Sequence, residues 1–228
     1  MKYFEPLKAA FEEAVDPVYA AGMKNYMRGK FEYYGIRAPL RDSIIAAFLK
    51  NNPVKKIESH AQAICYCWEQ PQREWQYTGM LILSKFAAKA DERYLEFAEY
   101  MILSKSWWDT VDFIASNVVG VYLKNNPEQI DTWIDRWMES GNIWLQRVCL
   151  LFQLKYGIYT DTLLLFSLCE KLSAHQDFFI RKAIGWALRQ YSKTNPAEVI
   201  EFVSTHMLSP LSAKEAMKVV ERREVKRF

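Results

Sequence analysis

The chain has 228 residues, of which 50% are hydrophobic and 25% charged, and its formal net charge at pH 7 is +3. This composition can bury a sizeable core and excludes intrinsic disorder, which combines low hydrophobicity with a high net charge. Charges interrupt every apolar stretch before the roughly 20 residues that cross a bilayer, so we expect no membrane protein. Glu and Pro near the start also interrupt the apolar core that a signal peptide needs.

The four cysteines do not form the pattern of a disulfide framework at this length. We expect reduced thiols and a cytoplasmic protein. Cys65 and Cys67 lie near His60, but the single residue between the two cysteines is not the usual spacing of a zinc site. We therefore expect buried thiols and no metal or cofactor.

Helical periodicity runs through the chain. Apolar residues recur at spacings of three and four, whereas alternating strand patterns and Asn-Gly hairpin signals are absent from the sequence. The pentapeptide Leu-Lys-Asn-Asn-Pro occurs at 49–53 and 123–127, and Lys-Thr-Asn-Pro follows at 193–196. Asn caps helices and Pro suits a first helical turn, so each motif predicts that one helix ends and another begins.

Aromatic residues open predicted helices at a regular interval. Trp75, Trp108, Trp144 and Phe178 are separated by 33, 36 and 34 residues. A period near 35 in an all-helical chain indicates stacked helix pairs of the HEAT, armadillo or TPR type. We predict an all-α, HEAT-like (ARM-type) solenoid that forms a single domain over 1–228. An irregular bundle with chance spacing is the alternative.

The four aromatic-opened helices also concentrate positive charge. They are predicted at 73–89, 105–124, 142–155 and 176–193, and they contain eleven Lys and Arg but four Asp and Glu. This set carries a net +7, the rest of the chain carries −4, and five of the eight Trp fall in the set. A basic concave face with interleaved aromatics is typical of nucleic-acid binding, whereas core tryptophans and solvated helix ends are the alternative.

Two charged residues in these helices call for an explanation. Ser106 and Asp109 fit a capping box, whereas Asp112 lies one turn beyond Trp108 on the same helix face. Arg147 lies in an almost wholly apolar helix and needs a partner, because an unpaired buried ion is costly. Asp112 is one repeat away, so we predict that the two side chains face each other. A purely structural ion pair is the alternative.

Four segments together carry a family resemblance. They are Tyr-Met-Arg-Gly-Lys-Phe-Glu-Tyr-Tyr-Gly-Ile-Arg-Ala-Pro at 26–39, Trp-Trp-Asp-Thr-Val-Asp at 107–112, Trp-Leu-Gln-Arg at 144–147, and Phe-Phe-Ile-Arg-Lys-Ala-Ile-Gly-Trp-Ala-Leu-Arg at 178–189. With these segments, the chain resembles the AlkD-type DNA alkylation-repair glycosylases, which are all-helical HEAT-like proteins. The resemblance covers nearly the full length.

The resemblance implies an enzyme that excises N3- and N7-alkylated purines from duplex DNA without flipping the base into a pocket. By its match, Asp112 is the catalytic carboxylate, Trp108 and Trp186 flank the sugar of the damaged nucleotide, and Arg147 contacts the backbone beside Asp112. Tyr26 matches a tyrosine on the DNA-facing side. The full set of expected DNA contacts is Tyr26, Arg147, Phe178, Phe179, Arg181, Lys182 and Arg189.

A site with one carboxylate suits this chemistry. A purine alkylated at N3 or N7 is cationic and leaves without a general acid, so the protein need only stabilise the oxocarbenium-like sugar and guide water. We expect a monomer that binds alkylated double-stranded DNA. A non-catalytic HEAT-repeat protein that binds DNA structure and a protein-scaffolding solenoid are the alternatives. The basic tail at 221–228 fits either a phosphate contact or a frayed helix end.

Overall fold

The computed structural model describes residues 1–53, 57–88 and 93–225, and most of them are helical. Within these ranges no strand is formed, and the one isolated β-bridge pairs Glu32 with Gln72. The all-α prediction is therefore confirmed. Of the predicted tail, the last three residues lie outside the described ranges.

The chain divides into two compact units, Met1–Phe86 and Ala87–Phe228. The expectation of a single domain over 1–228 stays a prediction. In the first unit a 3-10 turn at Lys2–Phe4 precedes the α-helices. They are α1 (Glu5–Glu13), α2 (Pro17–Tyr26), α3 (Ala38–Asn51), α4 (Ile57–Glu69) and α5 (Arg73–Ser84).

Aromatic rings form the centre of the first unit. Trp75 is only 1% exposed, and its ring meets Phe4, Phe11 and Tyr66 edge-on at centroid distances of 5.6, 5.3 and 5.6 Å. Edge-to-face packing at such distances is favourable beyond the burial of area alone. Trp75, in the first turn of α5, therefore belongs to the core.

A buried carboxylate fixes the loop after α2. Glu74 accepts backbone N–H bonds from Tyr34, Gly35 and Ile36 at 3.2, 3.0 and 3.3 Å. Gly35 has φ of +88°, and a Cβ there would lie 2.1 Å from the Asp16 carbonyl oxygen, so only glycine fits. These contacts fix the middle of the 26–39 segment that carries part of the resemblance.

The second unit continues the helical succession. A π-helical segment (Ala115–Val119) joins α7 to α8, and short 3-10 turns precede α9 and follow α10. The α-helices are α6 (Arg93–Leu103), α7 (Trp108–Ile114), α8 (Gly120–Asn125), α9 (Ile130–Glu139), α10 (Ile143–Leu151), α11 (Thr162–Lys171), α12 (Phe178–Tyr191), α13 (Pro196–Thr205) and α14 (Pro210–Val225).

Asn-Pro motifs mark helix boundaries as predicted. Asn195 is the N-cap of α13, where its side chain accepts the Glu198 N–H, and Pro196 is the first helical residue. Asn126 caps the end of α8, and a 3-10 turn starts at Pro127. Asn52 caps the end of α3, but the chain that follows Pro53, at 54–56, lies outside the described residues.

The period predicted from the aromatic spacing is present in the second unit. Helices α7, α10 and α12 begin at Trp108, Ile143 and Phe178, which are 35 residues apart in both steps. Helix α10 packs on both α7 and α12, and α12 packs on α14. Helices α9 and α11 contact α10, and α13 contacts α12 and α14. This is a helical-repeat fold. In the first unit, the helix predicted at 73–89 ends at Ser84, and position 89 lies outside the described residues.

The cysteines are free thiols. Cys67, Cys149 and Cys169 are buried, and burial raises the pKa of each thiol, which keeps it protonated and unreactive. Over the described ranges, no three or more His, Cys, Asp or Glu side chains come together as a metal site. No helix in those ranges is long and apolar enough to cross a membrane.

Candidate active site

A buried ion pair joins α7 to α10. Arg147 Nε donates to Asp112 Oδ1 at 2.7 Å, and Arg147 Nη2 donates to Asp112 Oδ2 at 2.8 Å. The arginine side chain is 5% exposed and the aspartate side chain 12%. This bidentate arrangement uses the planar fork of the guanidinium group and fixes both side chains. The prediction that Asp112 and Arg147 face each other is confirmed.

Arg147 also binds the first turn of α12. Its Nη1 donates to the Phe179 carbonyl oxygen. That turn is held in place by the N-cap residue Asp177, whose carboxylate accepts the N–H groups of Phe179 at 2.7 Å and Ile180 at 3.3 Å. One guanidinium group therefore ties together three successive repeat helices, α7, α10 and α12. Nothing in the sequence pattern pointed to this backbone contact.

An aromatic cluster borders the ion pair. The Phe179 ring lies 5.0 Å from the rings of both Trp107 and Trp144, and these two indoles are 5.7 Å apart. The guanidinium carbon of Arg147 is 6.0 Å from the centre of the Phe179 ring. Apolar rings beside a charged pair reduce its contact with water and strengthen its electrostatic interactions.

The helix that carries Asp112 changes its winding directly after the site. The π-helical segment Ala115–Val119 follows α7, and Ser116 Oγ donates to the Asp112 carbonyl oxygen at 3.1 Å. Such π-bulges within α-helices are frequent at functional sites. The segment is thus a second structural feature, besides the ion pair, that marks this stretch.

Contacts from the chain after α10 hold the π-helical segment. A Cβ on Gly120 would lie 2.1 Å from the Phe152 carbonyl oxygen, so the two backbones touch. Tyr156 Oη donates to the Gly120 carbonyl oxygen at 2.7 Å, and Lys155 Nζ donates to Asn117 Oδ1 at 2.5 Å. The geometry around Asp112 therefore depends on the close approach that Gly120 permits.

Opposing effects act on the Asp112 carboxyl group. Burial raises its pKa, hydrogen bonds and positive charge from Arg147 act in the opposite direction, and the negative charge of Asp109 raises it further. The net direction is above the ordinary value of 3.8. A carboxylate kept from water in this way interacts strongly with a developing positive charge.

The predicted aromatic partners differ in exposure. Trp108 lies one turn before Asp112 in α7, Trp186 lies within α12, and both indoles are half-buried. Phe178, the first residue of α12, is 52% exposed. Tyr26 ends α2 in the first unit and is 71% exposed. The structure establishes the position and exposure of these four side chains, and their roles in DNA binding stay predictions.

The predicted basic contacts of α12 have protein partners. Arg181 Nε donates to the His175 carbonyl oxygen at 2.8 Å. Lys182 Nζ lies 2.7 Å from Glu215 Oε2, and Arg189 Nη1 donates to the other oxygen of Glu215. Glu215 is not predicted from the sequence as a partner, because α14 lies outside the four aromatic-opened helices.

The predicted capping box at the start of α7 is wrong. The N-cap residue is Trp107, without a side-chain cap, and the helix begins at Trp108. Ser106 Oγ instead donates to the Ile102 carbonyl oxygen at 2.6 Å, at the end of the preceding helix. Asp109 is an acid in the first turn, where it interacts favourably with the helix dipole.

Part of the charge and aromatic content assigned to one surface belongs to the interior. Arg73 is fully buried, with its guanidinium carbon 3.8 Å from the centre of the Phe31 ring, and Arg147 is 4% exposed. Trp75 and Trp107 are also buried. The net +7 of those helices therefore overstates the charge that reaches solvent.

Comparisons with known proteins agree with the resemblance seen in the sequence. The sequence model of the family described as DNA alkylation repair enzyme matches residues 7–220. A solved structure described as a predicted DNA alkylation repair enzyme from Enterococcus faecalis is 32% identical, with a TM-score of 0.83 over 90% of this chain and 95% of that one. A comparison with curated proteins gives no match. With the family match over almost its whole length, the chain belongs to the DNA alkylation repair enzyme family.

Proposed function

We propose that this protein is a DNA N-glycosylase that hydrolyses the N-glycosidic bond of cationic N3- and N7-alkylpurines, such as 3-methyladenine and 7-methylguanine, in duplex DNA. The observation that carries the proposal is the Asp112–Arg147 pair, a buried carboxylate held at both oxygens at 2.7 and 2.8 Å in a member of a repair family. The fixed geometry favours a preorganised electrostatic role.

The substrate supplies most of the reactivity. Alkylation at N3 or N7 places a positive charge on the purine, so cleavage of the bond to C1′ releases a neutral base. Positive charge then develops on the deoxyribose ring, and water adds at C1′ to give an abasic site and one proton. A site for this reaction needs a fixed negative charge and a route for water rather than an acid.

Asp112 is suited to supply that charge. Arg147 holds both carboxylate oxygens but uses one hydrogen bond on each, and a carboxylate oxygen can accept two. The remaining lone pairs can face the sugar or orient the attacking water and take its proton. Arg147 thereby positions Asp112 and also offers positive charge to a neighbouring phosphate.

The half-buried tryptophans complete the proposed site. Trp108 and Trp186 would flank the sugar and hold the cationic nucleotide by cation–π attraction, worth about 0.5–2 kcal/mol each. Tyr26, Phe178, Phe179, Arg181, Lys182 and Arg189 are the proposed contacts to the rest of the duplex. The Phe179 ring already packs on the indoles of Trp107 and Trp144, so we propose that only its edge contacts DNA.

A base-release assay tests the proposal. Wild-type protein incubated in excess with a duplex that contains one 7-methylguanine should free that base and leave an abasic site cleavable by alkali. The undamaged duplex of the same sequence is the control. Tight binding to the damaged duplex without any base release would contradict the proposal.

One observation favours a second function, a helical-repeat protein that binds DNA structure without catalysis. Both Asp112 oxygens already accept hydrogen bonds, as expected for an ion pair that serves only to join α7 to α10. This function predicts salt-dependent DNA binding and no base release from any alkylated duplex. The assay above therefore separates the two functions.

We further propose a HEAT-like monomer, active as one domain over 1–228 in the cytoplasm. The 35-residue step between α7, α10 and α12 supports the repeat type, and the buried free thiols suit a reducing compartment. Sedimentation equilibrium of the purified protein would test the monomer, since a dimer would give twice the molecular mass of one chain.

A further inference from the structure

Three cations converge on one buried carboxylate between α12 and α14. Lys182 Nζ and Lys218 Nζ each lie 2.7 Å from Glu215 Oε2, and Arg189 Nη1 donates to Glu215 Oε1. The Glu215 side chain is 5% exposed, whereas the cations are 28–40% exposed. We call these four residues the Glu215 cluster. Its acid is internal, and its positive groups reach solvent.

Close packing of the two helices fixes this cluster. A Cβ on Gly185 would lie 2.5 Å from Glu215 Cβ and 2.7 Å from the Ser212 carbonyl oxygen, so α12 and α14 meet at Gly185. Ser212 Oγ also donates to the Arg181 carbonyl oxygen at 2.9 Å. The close approach of α12 and α14 therefore fixes the position of Glu215, so its carboxylate lies at a constant place between the three cations.

The cluster has more positive charge than its own structure needs. Burial opposes ionisation of Glu215, but hydrogen bonds from Lys182 and Lys218 and the charge of Arg189 lower its pKa to about 2. At neutral pH it is thus a carboxylate with three cations around it, a net charge of +2. An ion pair that served only to join α12 to α14 would need one cation beside Glu215. The surplus charge is what an anion site requires.

The position of the cluster relates it to the proposed active site. Lys182 and Arg189 lie four residues before and three residues after Trp186 on α12, and so on the same side of that helix. An anion bound there would sit along the helix that carries a proposed sugar contact. The repeated phosphates of a DNA strand meet that requirement.

We propose that the Glu215 cluster binds a backbone phosphate of duplex DNA, with Lys218 as a direct contact and Glu215 as the residue that positions the three cations. The ligand rests on the proposed function. The new elements are the participation of α14 and the role of an acid in a DNA-binding surface. The exposed Lys214 and Arg222, one turn on either side of Lys218, would extend the surface along α14.

The salt dependence of binding to a short undamaged duplex tests Lys218. Each neutralised phosphate contributes about −0.9 to the slope of log K against log salt. We expect Lys218→Gln to reduce the slope by up to about that amount, because Lys182 and Arg189 remain beside the phosphate. Lys171→Gln, an exposed lysine at the end of α11, makes the same charge change away from the cluster and should leave the slope unchanged. An unchanged slope in Lys218→Gln would overturn the proposal.

The sign of a second effect tests Glu215. Glu215→Gln raises the net charge by one, which alone would tighten DNA binding. If Glu215 positions the cations, the variant instead binds the undamaged duplex about three- to tenfold more weakly, because the cations lose a charged anchor. Glu221→Gln, on the exposed part of α14, is the matched control and should not weaken binding. Tighter binding by Glu215→Gln would show that Glu215 only neutralises charge.

These results are separable from the glycosylase proposal. Both binding tests use undamaged DNA and need no base release, and a thermal melt establishes that each variant is folded. If base release fails but Lys218→Gln alters the salt slope, the phosphate site stands and the enzymatic proposal falls. If base release succeeds and the slope does not change, the reverse holds.

Discussion

Arg147 is the residue whose removal should disturb the candidate site most. Arg147→Met deletes two hydrogen bonds to Asp112 and one to the Phe179 carbonyl oxygen. It leaves a carboxylate that is 12% exposed without its cation. Breaking a buried pair from one side costs about 3–5 kcal/mol of unfolding free energy, and the orphaned carbonyl adds about 1 kcal/mol. Proton uptake by Asp112, whose pKa is already raised, should reduce this cost at acidic pH.

The magnitude is measured with a double-mutant cycle. Asp112→Leu alone leaves the buried guanidinium group of Arg147 without its counter-ion, so it should also lower the free energy of unfolding. The Asp112→Leu/Arg147→Met double variant replaces both ions by apolar groups. Such replacements are often neutral or stabilising, so the double variant should lie within about 1 kcal/mol of wild type. Urea unfolding followed by tryptophan fluorescence is the assay, since six of the eight Trp lie in the unit Ala87–Phe228.

The cycle also bears on why the pair exists. A coupling energy of about 3 kcal/mol or more, with a stable double variant that releases no base, would show that the pair serves function rather than stability. Additive effects, or a cost below about 1 kcal/mol for Arg147→Met, would show that the buried, hydrogen-bonded pair does not couple the two residues energetically.

Three further outcomes follow from the structure. Because burial raises the pKa of Asp112 above 3.8, single-turnover base release should fall on acidification, as the carboxylate takes up a proton, with a midpoint above that value; a midpoint at or below 3.8 would contradict the raised pKa. Gly120→Ala should cost about 1–3 kcal/mol in urea unfolding, because its Cβ would meet the Phe152 carbonyl oxygen at 2.1 Å, whereas Gly22→Ala, with open space around its Cβ, should not destabilise. Glu215, with its pKa lowered to about 2, should contribute about 2 kcal/mol above pH 4.5 after solvent screening, and this contribution is lost as the pH falls towards 2; a Glu215→Gln penalty that persisted at pH 2 would contradict this.

The repeat and the central ion pair were accessible from sequence because each has a local signature. Aromatic residues 36 and 34 positions apart, Trp108, Trp144 and Phe178, lie at the first or second residue of α7, α10 and α12. Arg147 in an apolar helix requires a counter-ion, and Asp112 lies one repeat away, so the sequence predicts that the two side chains face each other, as they do at 2.7 Å.

Features that depend on tertiary packing were not accessible in this way. Glu215 belongs to an ordinary charged helix in the sequence, and only the close approach at Gly185 makes it the partner of Lys182 and Arg189. The π-helical segment after Asp112 has no distinctive residue pattern. The spacing of Trp75 predicts that it belongs to the aromatic, ligand-facing helix set, but it is buried in the core. Periodicity alone cannot distinguish a buried aromatic residue from an exposed one.

If the protein is a glycosylase of this kind, the Asp112 carboxylate promotes release of the cationic purine. The most direct measurement compares single-turnover release of 7-methylguanine from a duplex by wild type, Asp112→Asn and Asp109→Asn, with duplex affinity measured in parallel. We expect Asp112→Asn to lose base release while it keeps most of its duplex affinity, and Asp109→Asn, which changes the neighbouring acid on α7, to retain both. Release by Asp112→Asn at the wild-type rate would show that Asp112 is not the catalytic carboxylate.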